Sequence, residues 1–441
     1  MKRLYVLLLT LFLVFVFSVP VFAFENIFGG YWNTRAYTQR DFTGDDSEDM
    51  DIQMVDTQTR IFYTAKFSDD FKFINKFEMD AIWGGNAAKS DYGDIGADGV
   101  NVEIKNSYAD FTIDSFNYKL GVQNMKINRG FLFSDDFAGA VITYNVNKDI
   151  EIPFFWIKAR EGYSSNVGNN THRNSYDVDI YGIYPKVKLG SVTLRPTLAW
   201  ATSKDASWFG DTSNSGWRNQ GAADFDKFNT YYLGADVDVK VGPASVWFTG
   251  LYDFGTIESL AGGEDYDAKG YLLALGAKAD VNDVNLHGQT FYAAGDDDTA
   301  DRDIEAYLTP IGKGMTYKWA EIMGRGPIFD NDWSNGSPGD EPTNILAVNM
   351  GVTVKPVKKL AVTADLWWAQ LAEDNPNGDK DLGTEINLLA NYKILDNLSL
   401  DVLAAYLFAG KATTDWNYAD GLVKDGDKNP IEIGTQLEIS F

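Results

Sequence analysis

Apolar and polar side chains alternate residue by residue through most of this chain, and the alternation breaks after every roughly 10 to 14 residues. In the last such segment Ile431, Ile433, Thr435, Leu437, Ile439 and Phe441 form one face, and Glu432, Gly434, Gln436, Glu438 and Ser440 form the other. A period of two belongs to a strand, whose successive side chains point to opposite faces. Strands are predicted at 27–39, 53–67, 70–83, 100–113, 116–127, 138–147, 150–161, 174–188, 191–202, 227–240, 243–256, 268–281, 284–294, 343–356, 359–371, 382–395, 398–408 and 431–441. That makes about eighteen, an even number, each long enough to cross a bilayer at a tilt.

The connections alternate in length. Ser68-Asp69-Asp70, Asp114-Ser115, Asn147-Lys148-Asp149, Gly190, Val241-Gly242-Pro243, Asn282-Asp283, Pro356-Val357-Lys358 and Leu395-Asp396-Asn397 have tight-turn compositions. Every other connection is long, the longest covering 295–342. Short turns at one end and long loops at the other predict an all-β fold: a transmembrane antiparallel up-and-down β-barrel with periplasmic turns and extracellular loops. A soluble sandwich would place turns at both ends, and a propeller would show a blade repeat.

Facing follows from width. At 70–83, Phe71, Phe73, Phe77, Met79 and Trp83 alternate with Lys72, Lys76, Glu78 and Asp80. At 382–395, Leu382, Ile386, Leu388, Ala390 and Ile394 alternate with Glu385, Asn387, Asn391 and Lys393. A ring of about eighteen strands is too wide for one apolar face to fill, so the polar set is expected inward around water and the apolar set outward against lipid. Trp32, Trp83, Trp156, Trp200, Trp367 and Trp368 suit girdles at the two interfaces.

The N-terminus supports export. Basic Met1-Lys2-Arg3, an apolar run from Leu4 to Phe17, and Val21-Phe22-Ala23 compose a secretory signal peptide over 1–23, with cleavage expected after Ala23. Residues 24–441 are then one barrel domain in the bacterial outer membrane. No later stretch has the roughly 20 apolar residues a spanning helix needs. The absence of cysteine excludes a disulfide framework and thiolate metal sites.

Formal net charge is −25. Such acidity excludes nucleic acid as a partner. The connection at 295–342 carries 11 acids against 4 bases, the largest share. Within it the carboxylates Asp296, Asp298, Asp301 and Asp303 are candidate ligands for Ca²⁺, although the spacing is not that of an EF-hand and Arg302 intrudes. Apart from that candidate no cofactor is expected. Acidic loops also suit bridging through cations to lipopolysaccharide.

Candidate pore-lining residues gather in the first third. Arg35, Arg60, Lys72, Lys76, Lys105 and Lys119 hold polar-face positions on the first five strands, facing Glu78, Asp80 and Glu103, and Arg129 follows in the third long connection. Opposed charges across a lumen select solutes by charge and size; the same charges could equally pair with one another across strands. Catalysis has little to draw on. The two histidines, His172 and His287, stand beside no serine-and-acid set, and Gly312-Lys313-Gly314-Met315 lacks the rest of a phosphate loop, so no enzyme motif remains.

The terminal aromatic strand resembles the closing strand of outer-membrane barrels, which implies recognition of Phe441 by the barrel-assembly machinery. Gly121-Val122-Gln123, Asn128-Arg129-Gly130-Phe131, Phe137-Ala138-Gly139-Ala140-Val141 and Gly295-Asp296-Asp297-Asp298 together resemble the alginate-export-like outer-membrane porins. That resemblance implies a single-chain barrel, loops that narrow the pore and a basic constriction passing anionic solutes; Val122 stands where such proteins often carry arginine. Three readings are open. The first is a porin for passive diffusion of small hydrophilic, anionic solutes through outer-membrane lipid. The second is an export conduit for an anionic polysaccharide, and the third a structural barrel plugged by 295–342. Homotrimers are common among porins, and nothing in the sequence marks an interface.

Overall fold

The structure is a computed structural model and describes residues 24–42, 51–85, 102–161, 177–204, 225–259, 264–298, 301–310, 317–329, 342–375, 377–414 and 426–441. The signal peptide, His172 and the Gly312–Met315 turn lie outside these residues.

Each wall strand pairs antiparallel with the next. The first seven are β1 (Glu25–Arg40), β2 (Ile52–Ser68), β3 (Phe71–Ile82), β4 (Glu103–Ile113), β5 (Phe116–Ile127), β6 (Phe133–Asn147) and β7 (Ile150–Arg160). A broken stave comes next, β8 (Val178–Ile183) and β9 (Lys186–Leu189), because Pro185 has no N–H to give the ladder. Then come β10 (Val192–Ser203), β11 (Phe225–Val241), β12 (Ala244–Ser259), a second broken stave of β13 (Tyr266–Ala268) and β14 (Tyr271–Val281), and β15 (Val284–Ala293). The chain next leaves the wall, touches it as β16 (Asp303–Ile304), and returns as β17 (Ile345–Val357), β18 (Leu360–Leu371), β19 (Asp381–Leu395), β20 (Leu398–Ala409) and β21 (Ile431–Ser440). Counting each broken pair as one stave and setting β16 aside leaves 18 staves. The ring closes where β1 pairs antiparallel with β21, from Tyr31 opposite Ser440 to Arg40 opposite Ile431. Closure removes the free edges a sheet of this size would otherwise expose.

Facing agrees with the sequence reading along most of the wall. Phe71, Phe73, Trp83, Trp156, Leu198, Trp200, Leu286, Met350, Trp368 and Leu388 are exposed on the outside, the face that meets hydrocarbon. Three particulars differ. Strand β6 starts at Phe133 rather than 138, because the acid pair Asp135-Asp136, which reads as loop, pairs with Met125 and Asn124 on β5. Leu382, expected outside, is fully buried: the register with β18 slips between Ala369 and Gln370, next to a left-handed Gly383 at φ +120°, and the extra residue reverses its face. Trp367, expected in a girdle, is 4% exposed and points inward, its ring centroid 4.9 Å from that of Trp319.

These two side chains belong to a larger departure. The extracellular half of the lumen is not a polar wall around water but an apolar core. Leu272, Ala274, Phe291, Ala293, Ile345, Ala347, Ala369, Leu371, Leu382 and Leu407 face inward and are buried. What buries them are two inward excursions of the chain. One is the short link after β5, with Phe131 and Leu132. The other is the connection between β15 and β17, with Ile304, Tyr307, Leu308, Trp319, Ile322 and Met323. Width therefore excludes filling by wall side chains but not by wall and loops together.

Candidate functional site

The inward excursions are held to the wall by polar groups that would otherwise be stranded in an apolar surround. On β19 the Glu385 carboxylate, 0% exposed, accepts the backbone N–H of Ile322 at 3.0 Å and of Met323 at 2.8 Å. On β12 buried Asp253 accepts the N–H of Leu308 at 3.3 Å. The Tyr317 hydroxyl, pushed up to about 12 by burial, donates to Gln289 Oε1 on β15 at 2.6 Å. Tyr307 donates to the carbonyl of Phe131 at 3.1 Å, tying the two excursions together. At the far side Phe329 stacks on Tyr37 of β1 with ring centroids 5.0 Å apart. Residues 317–329 thus reach the β21–β1 seam from their anchor on β15.

Below this inner core, on the periplasmic side, lies a cavity of about 790 Å³. Its lining includes Arg129, Arg195, Asp238, Lys240, Trp247, Lys278, His287, Glu321 and Asp365. Arg129 sits in a one-turn 3-10 helix at Asn128–Gly130 with a left-handed backbone, φ 62°. That turn aims its guanidinium away from β5 and across to β10–β12. There Arg129 pairs with Asp238, and Arg195 pairs with the same carboxylate at 2.5 Å. The Arg129 guanidinium also lies 4.6 Å from the ring centroid of Trp247. Trp247 is in register with Gly276, where a side chain would run into the indole. Asn128 is tied down beside them, receiving a hydrogen bond from Thr197 at 3.0 Å and donating to Asp236 at 3.3 Å.

The ladder predicted on the first five strands is present, with its charges largely matched. Arg35 pairs with Asp56 at 2.6 Å, Arg60 with Glu78, and Lys105 with both Glu78 and Asp136 at 3.3 Å. Lys105 reaches both because it is the extra residue of a bulge, where Lys76 faces Asn106 and Phe77 faces Ile104. Lys72 and Lys119 flank Asp110 in register, and Lys76 lies 5.2 Å from the Phe62 ring centroid. Glu103 stands opposite Glu78. Asp80 follows two residues after Glu78 on β3. Arg129 does not join this group.

Sequence reasoning missed the facing wall. One rung of the barrel runs Lys240, Ser245, Lys278, His287, Gly351, Asp365, Asn387 across β11, β12, β14, β15, β17, β18 and β19. Alternation shows each of these residues on a polar face, but their common level depends on turn lengths and register. The carboxylates Asp296, Asp298, Asp301 and Asp303 do not converge. Asp296 and Asp301 accept the backbone N–H of Asp298 and Asp303 at 3.2 and 2.8 Å, Asp303 pairs with Lys269, and no metal-holding group occurs among the described residues.

A scan against protein-family models finds no match, and a search of curated proteins also finds none. Solved structures do match. OccAB4 of Acinetobacter baumannii aligns with TM-score 0.57 and 11% identity over 95% of this chain and 98% of that one. OpdK of Pseudomonas aeruginosa, solved with vanillate, aligns with TM-score 0.57 and 10% identity over 94% and 98%. A second structure, of the outer membrane protein opdK from the same organism, gives 0.55 and 10% over 94% and 99%. The fold is that of an outer-membrane porin. The likeness supports an eighteen-stranded outer-membrane porin barrel, and the alginate-export-like resemblance is not confirmed by it.

Proposed function

We propose that this chain, after removal of residues 1–23, forms an outer-membrane channel for passive diffusion of small hydrophilic solutes, with preference for organic anions. The observation that carries this reading is the convergence of Arg129 and Arg195 on one carboxylate at the edge of the cavity beneath the inner core. Two guanidiniums sharing one carboxylate retain N–H donors for a solute carboxylate, and Lys240 and Lys278 add positive charge to the same cavity wall. Trp247 beside them offers an apolar edge for the solute body. The described excursions occupy part of the lumen above this pair, and charges lining a narrowed path select by charge. That a solved relative was crystallised with vanillate, an aromatic acid, is in keeping with this reading. Outer-membrane lipid and lipopolysaccharide are its surroundings, and the barrel-assembly machinery its route of insertion.

The plugged-barrel reading has one observation in its favour, the apolar core that loops and wall build inside the lumen. The polysaccharide-conduit reading calls for a basic constriction without facing acids, whereas here Arg35, Arg60, Lys105, Arg129 and Arg195 each face a carboxylate. The deciding experiment is single-channel conductance of the refolded barrel in a planar bilayer, with reversal potential under a salt gradient. Steady conductance with anion preference is the expected result. A correctly folded barrel that conducts nothing would establish the plugged reading, and cation preference would remove Arg129 and Arg195 from control of the path.

A further inference from the structure

His287 faces the cavity from β15, and both of its ring nitrogens are engaged. Nε2 lies 3.0 Å from Asp365 Oδ1 on β18, and Nδ1 lies 3.0 Å from Asn285 Oδ1 on its own strand. Both partner atoms are acceptors. The orientation of Asn285 follows from the other end of its amide, where Nδ2 donates to Asp280 Oδ1 at 2.7 Å. Turning that amide over would only move an oxygen onto the Asp280 carboxylate and leave an acceptor facing an acceptor there. Asp365 Oδ1 already accepts from Asn349 Nδ2 at 2.9 Å, and an ionised carboxylate has no proton to give. A neutral imidazole has one N–H and completes one of the two contacts; an imidazolium completes both.

The pairing is built into the wall. Strand β17 separates β15 from β18, and at the level of His287 and Asp365 it carries Gly351. A side chain there would run into both His287 Nε2 and Asp365 Oδ1. The glycine lets two inward residues meet across an intervening strand, about 10 Å from strand to strand.

We propose that His287 is the proton-dependent charge of this channel: doubly protonated, it joins Lys240 and Lys278 on one rung of the cavity and strengthens the hold on anions, and on losing a proton it releases them. This rests on the channel reading above. The ring faces Asp365 on β18 and, through Asn285, Asp280 on β14. Lys278, in register on β14, and Lys240 beyond Ser245 share its rung, while β17 presents Asn349 and Gly351 and the inner segment brings Glu321 to the same cavity.

The chain has two histidines, so a His172→Gln variant of the full barrel leaves a single ring to observe. With ¹⁵N-labelled histidine, both ring nitrogens are expected to carry protons in acid, as the two facing acceptors require, and one of them to lose its proton as pH is raised. A ring already neutral at the acid end would overturn the inference. In bilayers the anion preference of the wild-type channel is expected to fall as pH is raised, and His287→Gln to lose that pH dependence. An unchanged shift in His287→Gln also overturns it, and Asp365→Asn, which keeps volume and one acceptor, guards against a variant that fails to fold. A folded barrel with no conductance at any pH defeats the channel reading and the selectivity role together, and the ring spectrum still decides the protonation.

Discussion

The ring of Phe441 lies across Gly30. The two residues also exchange backbone hydrogen bonds, Gly30 N to Phe441 O at 2.7 Å and Phe441 N to Gly30 O at 3.1 Å. A side chain at Gly30 would run into the phenyl ring and stand 2.9 Å from the Arg60 carbonyl. Gly30 is thus the socket in which the closing strand ends. Replacing it with valine should weaken closure by about 1–3 kcal/mol, the usual range for forcing volume into a packed site. The check is the temperature at which the folded barrel converts to the slower-migrating form on a gel; an unchanged temperature would show the socket to be dispensable.

Glu385 anchors the inner segment by accepting two backbone N–H groups in a buried site, and hydrogen bonds to a charged group contribute about 1.5–3 kcal/mol each. Glu385→Ala strands both donors. The expected outcome is a barrel that still closes but has larger, noisier conductance as residues 317–329 leave their seat. Quiet conductance at the wild-type level would place the seat elsewhere.

The two basic groups in the lumen should respond differently to charge reversal. Arg60, Lys72 and Lys105 changed together to Glu set new acids against Glu78 and Asp136, with the barrel still closed and ion preference moved modestly toward cations. Arg129 and Arg195 changed to Glu are expected to reverse the preference outright, because both stand at the cavity edge beneath the inner core. Reversal potentials for the two variants, measured side by side, rank the groups. A larger shift from the first triple would return control of the path to β2–β4.

Glu321, on the inner segment, accepts the N–H of Ile328 at 3.2 Å and lies near Glu432 and Glu385. Burial, reinforced by those two acids, pushes its carboxyl well above the usual carboxylate range. Its folded-state value is therefore above its unfolded one. The contribution to seating the segment is fully present below the unfolded value and is lost as pH rises through the folded one. Channel noise should accordingly rise on the alkaline side, and Glu321→Gln should remove that rise. Equal noise in both proteins at high pH would exclude Glu321 as the cause.

The barrel is legible in the sequence because its two determinants are local: a period of two over each stave, and turn residues at the stave ends. Phe441 on a strand closing against β1 comes from the same pattern. Simple alternation misplaces Leu382, since it stands at a bulge and a bulge reverses the face of the residues beyond it; Lys105, at another bulge, keeps its expected place facing Glu78. The inner core escapes for a different reason. Trp367 and Leu407 alternate in register with their neighbours whether they meet lipid or a loop, and only the inward path of residues 301–310 and 317–329 decides which. Arg129 stands out in the sequence, but its partners Arg195 and Asp238 lie far along the chain and meet it only because the link after β5 turns into the lumen. The Lys240–Lys278–His287 rung needs the register of several hairpins at once.

An inner core means that the extracellular ends of β14, β18 and β20 are apolar on both faces. Tyr271-Leu272-Leu273-Ala274-Leu275, Leu366-Trp367-Trp368-Ala369 and Leu403-Ala404-Ala405-Tyr406-Leu407-Phe408 are runs without a charge. In the finished barrel one face of each run meets hydrocarbon and the other meets the inner segment. Before insertion, in water, both faces are bare, and short uncharged runs of high strand propensity pair readily with copies of themselves. Aggregation of the unfolded chain should start at these three runs, so a chaperone that shields them in transit would shield the most hazardous part of the polypeptide.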